Sequence, residues 1–208
     1  MTKKERVLKI KEILDKEYGD AECSLQFEKP HELLIATQLA AQCTDARVNL
    51  VTPALFERYP TIKGFAEADM DELMSYIHST GFYRNKAKNI IGCCKRLLSE
   101  YNGIVPDTME ELLTLDGVGR KTANIILGDV YKKPAMVVDT HAGRLARRMG
   151  LTKNTDPTKV EFDLIKIVPP DYTPTFGHQL VWHGRKYCMS RKPNCDECPV
   201  NSVCPKII

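Results

Sequence analysis

Apolar residues recur at helical spacing along most of the chain, and the strict alternation typical of strands is almost absent. Val7, Ile10 and Leu14 share one helical face near the start of the chain. Only residues 136–138 look extended, and three residues are too few for a sheet. The pattern predicts an all-α protein of about ten short helices. A capping box and proline in first turns mark further helix starts, at Thr108 with Glu111, Pro30, Pro157 and Pro174.

Length and charge add a prediction about the partner. The chain has 208 residues and a mass of 23.5 kDa, enough for one large domain or two small ones. Its net charge of +3 is uninformative, but residues 84–96, 144–148 and 185–192 are basic runs that contain no acid. One such run is usually a solvated helix face, whereas three favour a surface that binds nucleic acid.

The start of the chain bears on its location. Its first five residues, Met-Thr-Lys-Lys-Glu, lead into a charged amphipathic segment rather than the apolar region of a signal peptide. No stretch approaches the length needed to cross a membrane. We therefore expect a cytoplasmic monomer with no membrane partner, associated with the nucleoid when it is bound to DNA.

Four cysteines near the C-terminus predict a metal centre. Gaps of six, two and five residues separate them, too short for helices, so the thiolates must converge on something small. Sulfur ligands suit an iron–sulfur cluster or zinc, and structural zinc sites usually have two close pairs where this chain has one. The spacing favours iron–sulfur over zinc, and a reducing compartment disfavours disulfides. The ligands would be Cys188, Cys195, Cys198 and Cys204, whereas core packing accounts for Cys23, Cys43, Cys93 and Cys94.

A tight turn with two glycines, Gly117 and Gly119, links two predicted helices. Glycine permits unusual dihedral angles and lets another molecule approach the backbone closely. The next helix begins at once, so its free N–H groups and the positive end of its dipole can grip a phosphate. The alternative is a simple connection that needs glycine for its geometry. Arg120 and Lys121 follow directly and favour phosphate binding, with Val118 expected to point into the core.

Several of these segments together resemble the helix–hairpin–helix DNA glycosylases. The segment from Leu115 to Asn124 is similar to their hairpin, and Val138-Asp139-Thr140-His141 is similar to the segment that follows it. The C-terminal cysteine spacing is similar to the [4Fe–4S] loop of the endonuclease III branch. Residues 42–45 and 81–83 match two further segments in order, and the resemblance runs from about residue 5 to residue 204.

The resemblance implies a base-excision glycosylase and AP lyase that removes oxidised or reduced pyrimidines from duplex DNA. Lys121 would attack the anomeric carbon of the sugar and form a Schiff base, and β-elimination would then cleave the strand 3′ to the abasic site. Its alternative is a lysine that only binds phosphate. Asp139 would assist the deprotonation of the lysine and stabilise the cationic sugar. Its alternative role is a helix N-cap, and both roles can hold at once.

A base inside a duplex cannot reach such a site, so the nucleotide must be flipped out. The resemblance implies that Gln42 fills the vacated space and Phe82 wedges into the opposite strand, against the alternatives of a polar helix end and a core aromatic. Asp45 would line the base pocket, and the cluster would fix the basic loop rather than carry chemistry. The residues expected to contact DNA are Gln42, Phe82, Gly117, Val118, Gly119, Arg120, Thr140, His141, Arg185, Lys186, Arg191 and Lys192.

The resemblance also implies two helical lobes with a DNA cleft between them. Residues 22–133 would form a helical bundle that contains the hairpin at 115–123. Residues 1–21 and 134–208 would together form the iron–sulfur lobe.

Three positions depart from the common pattern of this family. Asp116 stands where proline is common, Ala40 where serine is common and Cys43 where alanine is common. These changes bear on the phosphate grip and on substrate preference rather than on the class of reaction.

Two other functions use part of the same sequence. A monofunctional adenine or mismatch glycosylase would activate water, and such relatives usually lack the lysine in the hairpin. A non-catalytic iron–sulfur DNA-binding module would need only the hairpin, the basic loops and the cluster. Lys121 counts against the first alternative, and Lys121 and Asp139 together count against the second.

Overall fold

Helices make up the regular structure of the protein. The computed structural model describes residues 1–207, which contain eleven α-helices and no strand, so the predicted all-α class is confirmed. Single 3₁₀ turns occur at His78–Thr80 and Pro170–Tyr172, and a π-helical turn occurs at Ile126–Val130. The α-helices are α1 (Lys3–Glu17), α2 (Pro30–Leu39), α3 (Asp45–Arg58), α4 (Ile62–Ala66), α5 (Met70–Ile77), α6 (Tyr83–Glu100), α7 (Met109–Leu112), α8 (Arg120–Ile125), α9 (Thr140–Arg148), α10 (Pro157–Ile165) and α11 (Thr173–Lys186).

The predicted helix starts are confirmed. Thr108 caps α7, where its hydroxyl accepts a hydrogen bond from the backbone N–H of Glu111 at 3.3 Å. Pro30 and Pro157 are the first residues of α2 and α10, and Pro174 is the second residue of α11. Proline is tolerated there because the first N–H groups of a helix have no partner within the helix.

The chain forms two compact units. One is continuous in sequence, runs from Cys23 to Tyr131 and contains α2 to α8. The other combines Met1–Glu22 with the chain from Lys132 onward, so it contains α1, α9 to α11 and the C-terminal cysteines. None of the described helices is long and apolar enough to span a membrane.

The core of the discontinuous unit joins the two ends of the chain. The face of α1 formed by Val7, Ile10 and Leu14 is fully buried, as predicted. It belongs to the same apolar cluster as Leu145 of α9 and Leu180 of α11. Burying one such side chain contributes roughly 1.5–3 kcal/mol, so α1 is held firmly by residues from the distant part of the sequence.

The continuous unit buries two of the cysteines that lack ligand spacing. Cys93 and Cys94 lie in the buried face of α6, as core packing predicts, and burial raises the pKa of the Cys93 thiol to about 12. Cys23 and Cys43 are only partly buried. Core packing therefore describes two of these four residues fully and the other two in part.

Candidate functional site

The turn between α7 and α8 places different demands on its two glycines. Gly117 has a φ of +74°, and a Cβ there would lie 2.8 Å from the Gln38 Oε1 atom, so the fold itself requires glycine. Val118 is buried, as predicted, and anchors the turn. Gly119 is the N-cap of α8, and a Cβ there would meet no atom within 4 Å. Packing within the described residues gives no reason for glycine at 119, which leaves this backbone open to another molecule.

Lys121 is exposed in the first turn of α8, next to the half-buried Arg120, whereas Ile125 at the end of the helix is buried. The helix widens into the π-helical turn Ile126–Val130, a form that is frequent at functional sites. Burial raises the pKa of the nearby Cys23 thiol to about 12, and the Lys121 ammonium opposes that rise. Lys121 is thus an accessible amine on a packed helix.

Asp139 begins α9. Its Oδ1 atom accepts a hydrogen bond from the backbone N–H of Ala142 at 2.7 Å, so the expected N-cap is present. Within residues 1–207 this bond uses Oδ1, which leaves Oδ2 for a second role. Thr140, the first residue of α9, is exposed.

His141 is packed against α11. Its Nδ1 atom lies 3.1 Å from Nη2 of Arg144, and a Cβ on Gly184 would come within 2.7 Å of the same nitrogen. Burial lowers the pKa of His141, and because a guanidinium can only donate, Nδ1 is the acceptor. These contacts give His141 a structural role in the packing of α9 against α11.

Gln42 and Phe82 stand on two exposed turns. Their φ angles are +54° and +49°, a left-handed region that residues other than glycine adopt rarely and at an energetic cost. Phe82 is 64% exposed, so the alternative of a core aromatic is wrong. Both side chains line a cavity of about 200 Å³, together with Gln38, Ala41, Asn85, Lys86, Asn89 and Gly117. The sequence analysis did not assign Asn85, Lys86 or Asn89 to the site, and it counted Lys86 only as part of the basic run at residues 84–96.

Asp45 and Asp116 are acidic residues in the same unit as Gln42 and Phe82. Asp45 opens α3, is half-buried, and adds to the rise in the pKa of Cys23, so it lies in the neighbourhood that Lys121 also reaches. The carboxylate of Asp116 lies against Gly92 of α6. The negative charge of Asp116 therefore faces α6, within the continuous unit.

The four C-terminal cysteines line one cavity. Each is partly buried and unpaired, so no disulfide joins them. Among residues 1–207 no three His, Cys, Asp or Glu side chains are grouped so as to hold a single metal ion. Four cysteine thiolates are the usual ligand set of a [4Fe–4S] cluster, and all four line this cavity. The cysteines therefore fit a [4Fe–4S] cofactor.

Two side chains that sequence reasoning did not assign to the metal centre contact these sulfurs. Nε2 of the fully buried His183 lies 3.2 Å from Sγ of Cys198, and its Nδ1 lies 3.2 Å from the Tyr18 hydroxyl. Nη1 of Arg148 lies 3.4 Å from Sγ of Cys188. Hydrogen bonds to ligand sulfurs orient the ligands and tune the metal centre.

The basic run at residues 144–148 does not form the open surface that its charge suggested. Arg144 donates to the carbonyl oxygen of Cys188 at 2.9 Å. Arg148 donates to those of Met189 and Ser190, at 2.6 Å and 3.0 Å. These two arginines hold the cysteine segment in place, a correction to the prediction of a nucleic-acid face.

The basic residues beside the cysteines do lie on the surface. Lys186 is paired with an acid, because its Nζ atom lies 2.8 Å from the carboxylate of Glu17. Lys186 must exchange this ion pair for a phosphate if it is to bind DNA. The exposed basic residues are Arg185, Lys186, Arg191 and Lys192.

Comparison with known sequences agrees with these arrangements. Residues 35–170 match the family described as HhH-GPD superfamily base excision DNA repair protein, and residues 188–204 match the iron–sulfur binding domain of endonuclease III. The chain is 52% identical over 205 residues to endonuclease III of Synechocystis sp., covering 98% of this chain and 94% of that protein. It is 43% identical over 198 residues to endonuclease III of Rickettsia felis, covering 95% and 93%.

Solved structures agree as well. The fold is similar to that of a non-covalent endonuclease III–DNA complex, with a TM-score of 0.93 and 40% identity over 99% of this chain and 97% of that one. A trapped endonuclease III–DNA covalent intermediate gives the same values. A thermostable thymine-DNA glycosylase, 22% identical over 98% of this chain and 96% of that one with a TM-score of 0.87, shares the fold.

Proposed function

Since the chain belongs to the HhH-GPD superfamily of base excision DNA repair proteins and carries the iron–sulfur domain of endonuclease III, we propose that it removes oxidised or reduced pyrimidines from duplex DNA with Lys121 as its nucleophile. It is a bifunctional DNA glycosylase and AP lyase that holds a [4Fe–4S] cluster and acts on DNA. The observation that carries the assignment of the nucleophile is the exposed amine of Lys121 on the packed helix α8, two residues beyond the open backbone of Gly119.

The proposed reaction is nucleophilic catalysis by an amine. The deprotonated Nζ of Lys121 forms a bond to C1′ as the bond from C1′ to the damaged base breaks, and the base leaves with a proton. The sugar then opens to a protonated Schiff base, which is an electron sink. Loss of a proton from C2′ expels the 3′ phosphate, and the strand is cleaved by β-elimination.

Asp139 is the proposed carboxylate of this reaction. Its negative charge stabilises the cationic sugar as the base leaves, and it then accepts the proton that Nζ of Lys121 loses once the bond to C1′ has formed. Its Oδ1 atom is occupied by the N–H of Ala142, which fixes the carboxylate on a helix end and leaves Oδ2 for this role. Fixing a group on a regular element reduces the cost of ordering it at the moment of reaction.

Substrate recognition is proposed to begin with the opening of the duplex. Gln42 fills the space of the flipped nucleotide and Phe82 enters the opposite strand, for which the exposure of both residues is suited. Asp45 lines the base pocket. The left-handed backbone at Gln42 and Phe82 is a strain of the kind often found at functional sites.

The grip on the DNA backbone is proposed to come from residues that do not read sequence. The hairpin from Gly117 to Arg120 binds one phosphate, and Thr140 and His141 bind near α9. Arg185, Lys186, Arg191 and Lys192 bind phosphates from the cysteine segment. The cluster, when bound, supplies folding free energy to a segment that has no helix of its own, and it takes no part in base excision.

The site of action and the assembly state follow from the same proposal. We place the protein in the cytoplasm, with the nucleoid when it is bound to DNA, acting as a monomer. All eight cysteines are unpaired, which suits a reducing compartment.

The test is borohydride trapping on a duplex that carries one thymine glycol. Wild-type protein is expected to form a covalent adduct with the DNA and to nick the strand, because borohydride reduces the Schiff base. Lys121→Gln should bind the duplex but neither release the base nor form the adduct. Lys153→Gln, which removes an exposed lysine elsewhere, is the matched control and should trap as wild type does. An adduct that persists in Lys121→Gln excludes Lys121 as the nucleophile, and base release without any adduct indicates a monofunctional enzyme.

A further inference from the structure

Lys86 is a buried cation whose ammonium group is bonded to two backbone carbonyl groups. Its side chain lies on α6 and is only 5% exposed. The Nζ atom donates to the carbonyl oxygen of Leu39 at 2.7 Å and to that of Thr80 at 2.8 Å. A buried ammonium is costly unless its donors are satisfied, so these two bonds are a condition for keeping the lysine where it is.

The two carbonyl groups lie at the ends of two helical segments. Leu39 is the last residue of α2, and Thr80 is the last residue of the 3₁₀ turn His78–Thr80. The final carbonyls of a helix have no partner within it and form the negative end of its dipole. A single ammonium therefore caps both segments and links parts of the chain that lie 47 and 6 residues from it in sequence.

Each segment leads directly into one of the two exposed turns. Gln42 comes three residues after Leu39, and Phe82 comes two residues after Thr80. The backbone N–H of Lys86 also donates to the carbonyl oxygen of Phe82 at 3.1 Å. Lys86 is thus bonded to the base of one turn and at two points to the other.

We propose that Lys86 is a positioning residue that fastens these two turns together and sets the separation of Gln42 and Phe82 for opening the duplex. The inference rests on the proposed roles of Gln42 and Phe82. Gln42, Phe82 and Lys86 line the same cavity, so part of the space between the two turns is open rather than packed with protein. Without this link, packing across the cavity would do little to hold the turns at a fixed distance.

The strain in both turns makes such a link necessary. Residues other than glycine in the left-handed region persist only where the surroundings determine the backbone, at a cost of about 1–3 kcal/mol each. Gln42 and Phe82 are two such residues, and both are exposed, so their own side chains contribute little packing. The hydrogen bonds from Lys86 to Leu39 and Thr80 restrain the backbone that leads into each turn.

The experiment compares Lys86→Met with wild type and with Lys88→Met. Methionine keeps most of the length of the lysine side chain and removes its donors, whereas Lys88 is an exposed lysine on the same helix. Opening of the DNA duplex is measured by the fluorescence of 2-aminopurine placed opposite a thymine glycol. Each variant is made in a Lys121→Gln background, which blocks the reaction. Lys86→Met should lose most of the fluorescence rise, and Lys88→Met should change only the salt-dependent affinity. A full rise in Lys86→Met overturns the inference.

A double-mutant cycle separates positioning from general damage to the fold. In single-turnover base release, Lys86→Met should lower the rate about tenfold in the wild-type background but less than about threefold when Gln42 and Phe82 are both alanine. Equal losses in the two backgrounds overturn the inference, because they mean that Lys86 acts independently of the turns. If Lys86→Met does not fold, Lys86→Arg is put through the same cycle with the same criterion. A wild type that neither traps nor raises the fluorescence counts instead against the proposed function.

Discussion

At the scale of single residues, the hairpin glycines separate what the fold requires from what a ligand requires. Gly117 has a positive φ and would press a Cβ against Gln38 and Asn89. Gly119 has a φ of −105°, which any residue adopts, and open space where its Cβ would be. The first glycine is thus explained by packing within its own unit, whereas packing gives no reason for the second, which the proposed phosphate contact would explain.

We therefore expect alanine to act differently at the two positions. Gly117→Ala should lower the free energy of unfolding by about 1–2 kcal/mol for the left-handed backbone alone, with a further cost from the contacts. Gly119→Ala should change it by less than about 0.5 kcal/mol while weakening DNA binding severalfold, because the methyl group occupies the space of the phosphate. Thermal unfolding and titration with an abasic duplex at fixed salt measure both effects. Unchanged affinity in Gly119→Ala would remove the hairpin from the DNA interface.

Single residues also show where reading the sequence succeeds and where it fails. Val118, Leu14 and the proline helix starts were predictable because apolar periodicity and fixed φ act locally. Lys86 and Arg148 were counted as surface charge, because a sequence does not show which carbonyl groups the fold will bring near a long cationic side chain. The strain at Phe82 was equally hidden, since its backbone angle is set by the start of α6 and by neighbouring turns.

At the scale of the helix, α9 depends on the carboxylate that the proposal places in the chemistry. The cap satisfies an N–H that would otherwise have no partner at the helix start, and it adds a negative charge at the positive end of the dipole. Under the proposed mechanism, structure and catalysis use the same side chain, and the effect of a substitution depends on which of its two functions survives.

Asp139→Asn and Asp139→Ala should separate these functions. Asparagine caps helices about as well as aspartate, so Asp139→Asn should retain stability within about 0.5 kcal/mol but lose about 100-fold in the rate of base release. Asp139→Ala should lose that rate and about 1 kcal/mol of stability as well. Thermal melts and single-turnover assays of the two proteins provide the comparison. Full activity in Asp139→Asn would leave this residue with capping alone.

At the scale of the whole molecule, one segment depends on its cofactor more than on its own core. Between Tyr187 and residue 207 the chain forms turns but no helix or strand. The contacts that hold the segment include hydrogen bonds from Arg144 and Arg148, the approach of His183 to Cys198, and a few apolar residues such as Val200. Binding of the cluster must supply a substantial part of the free energy that orders this segment.

Removing one ligand tests that dependence. Cys198→Ser should lower the iron content well below the expected roughly four atoms per chain, remove the brown colour, and reduce the free energy of unfolding by about 4 kcal/mol, as loss of a metal site does. Cys43→Ala, at a cysteine in the other unit, should retain full iron content. Iron analysis and calorimetry of the two variants decide the matter. A Cys198→Ser protein that retains its iron and its stability would show that Cys198 is not a ligand.

The discontinuity of the second unit sets an order of events during synthesis. Helix α1 leaves the ribosome before the other described helices, yet its apolar face packs in one cluster with Leu145 and Leu180, which are made more than one hundred residues later. The continuous unit can fold in the meantime, because all of its residues emerge before Lys132. Translation at about 5–20 residues per second leaves α1 unsatisfied for several seconds, a period in which a chaperone can hold it. Cluster insertion follows the synthesis of all the helices, since the four cysteines come after α11 in the chain.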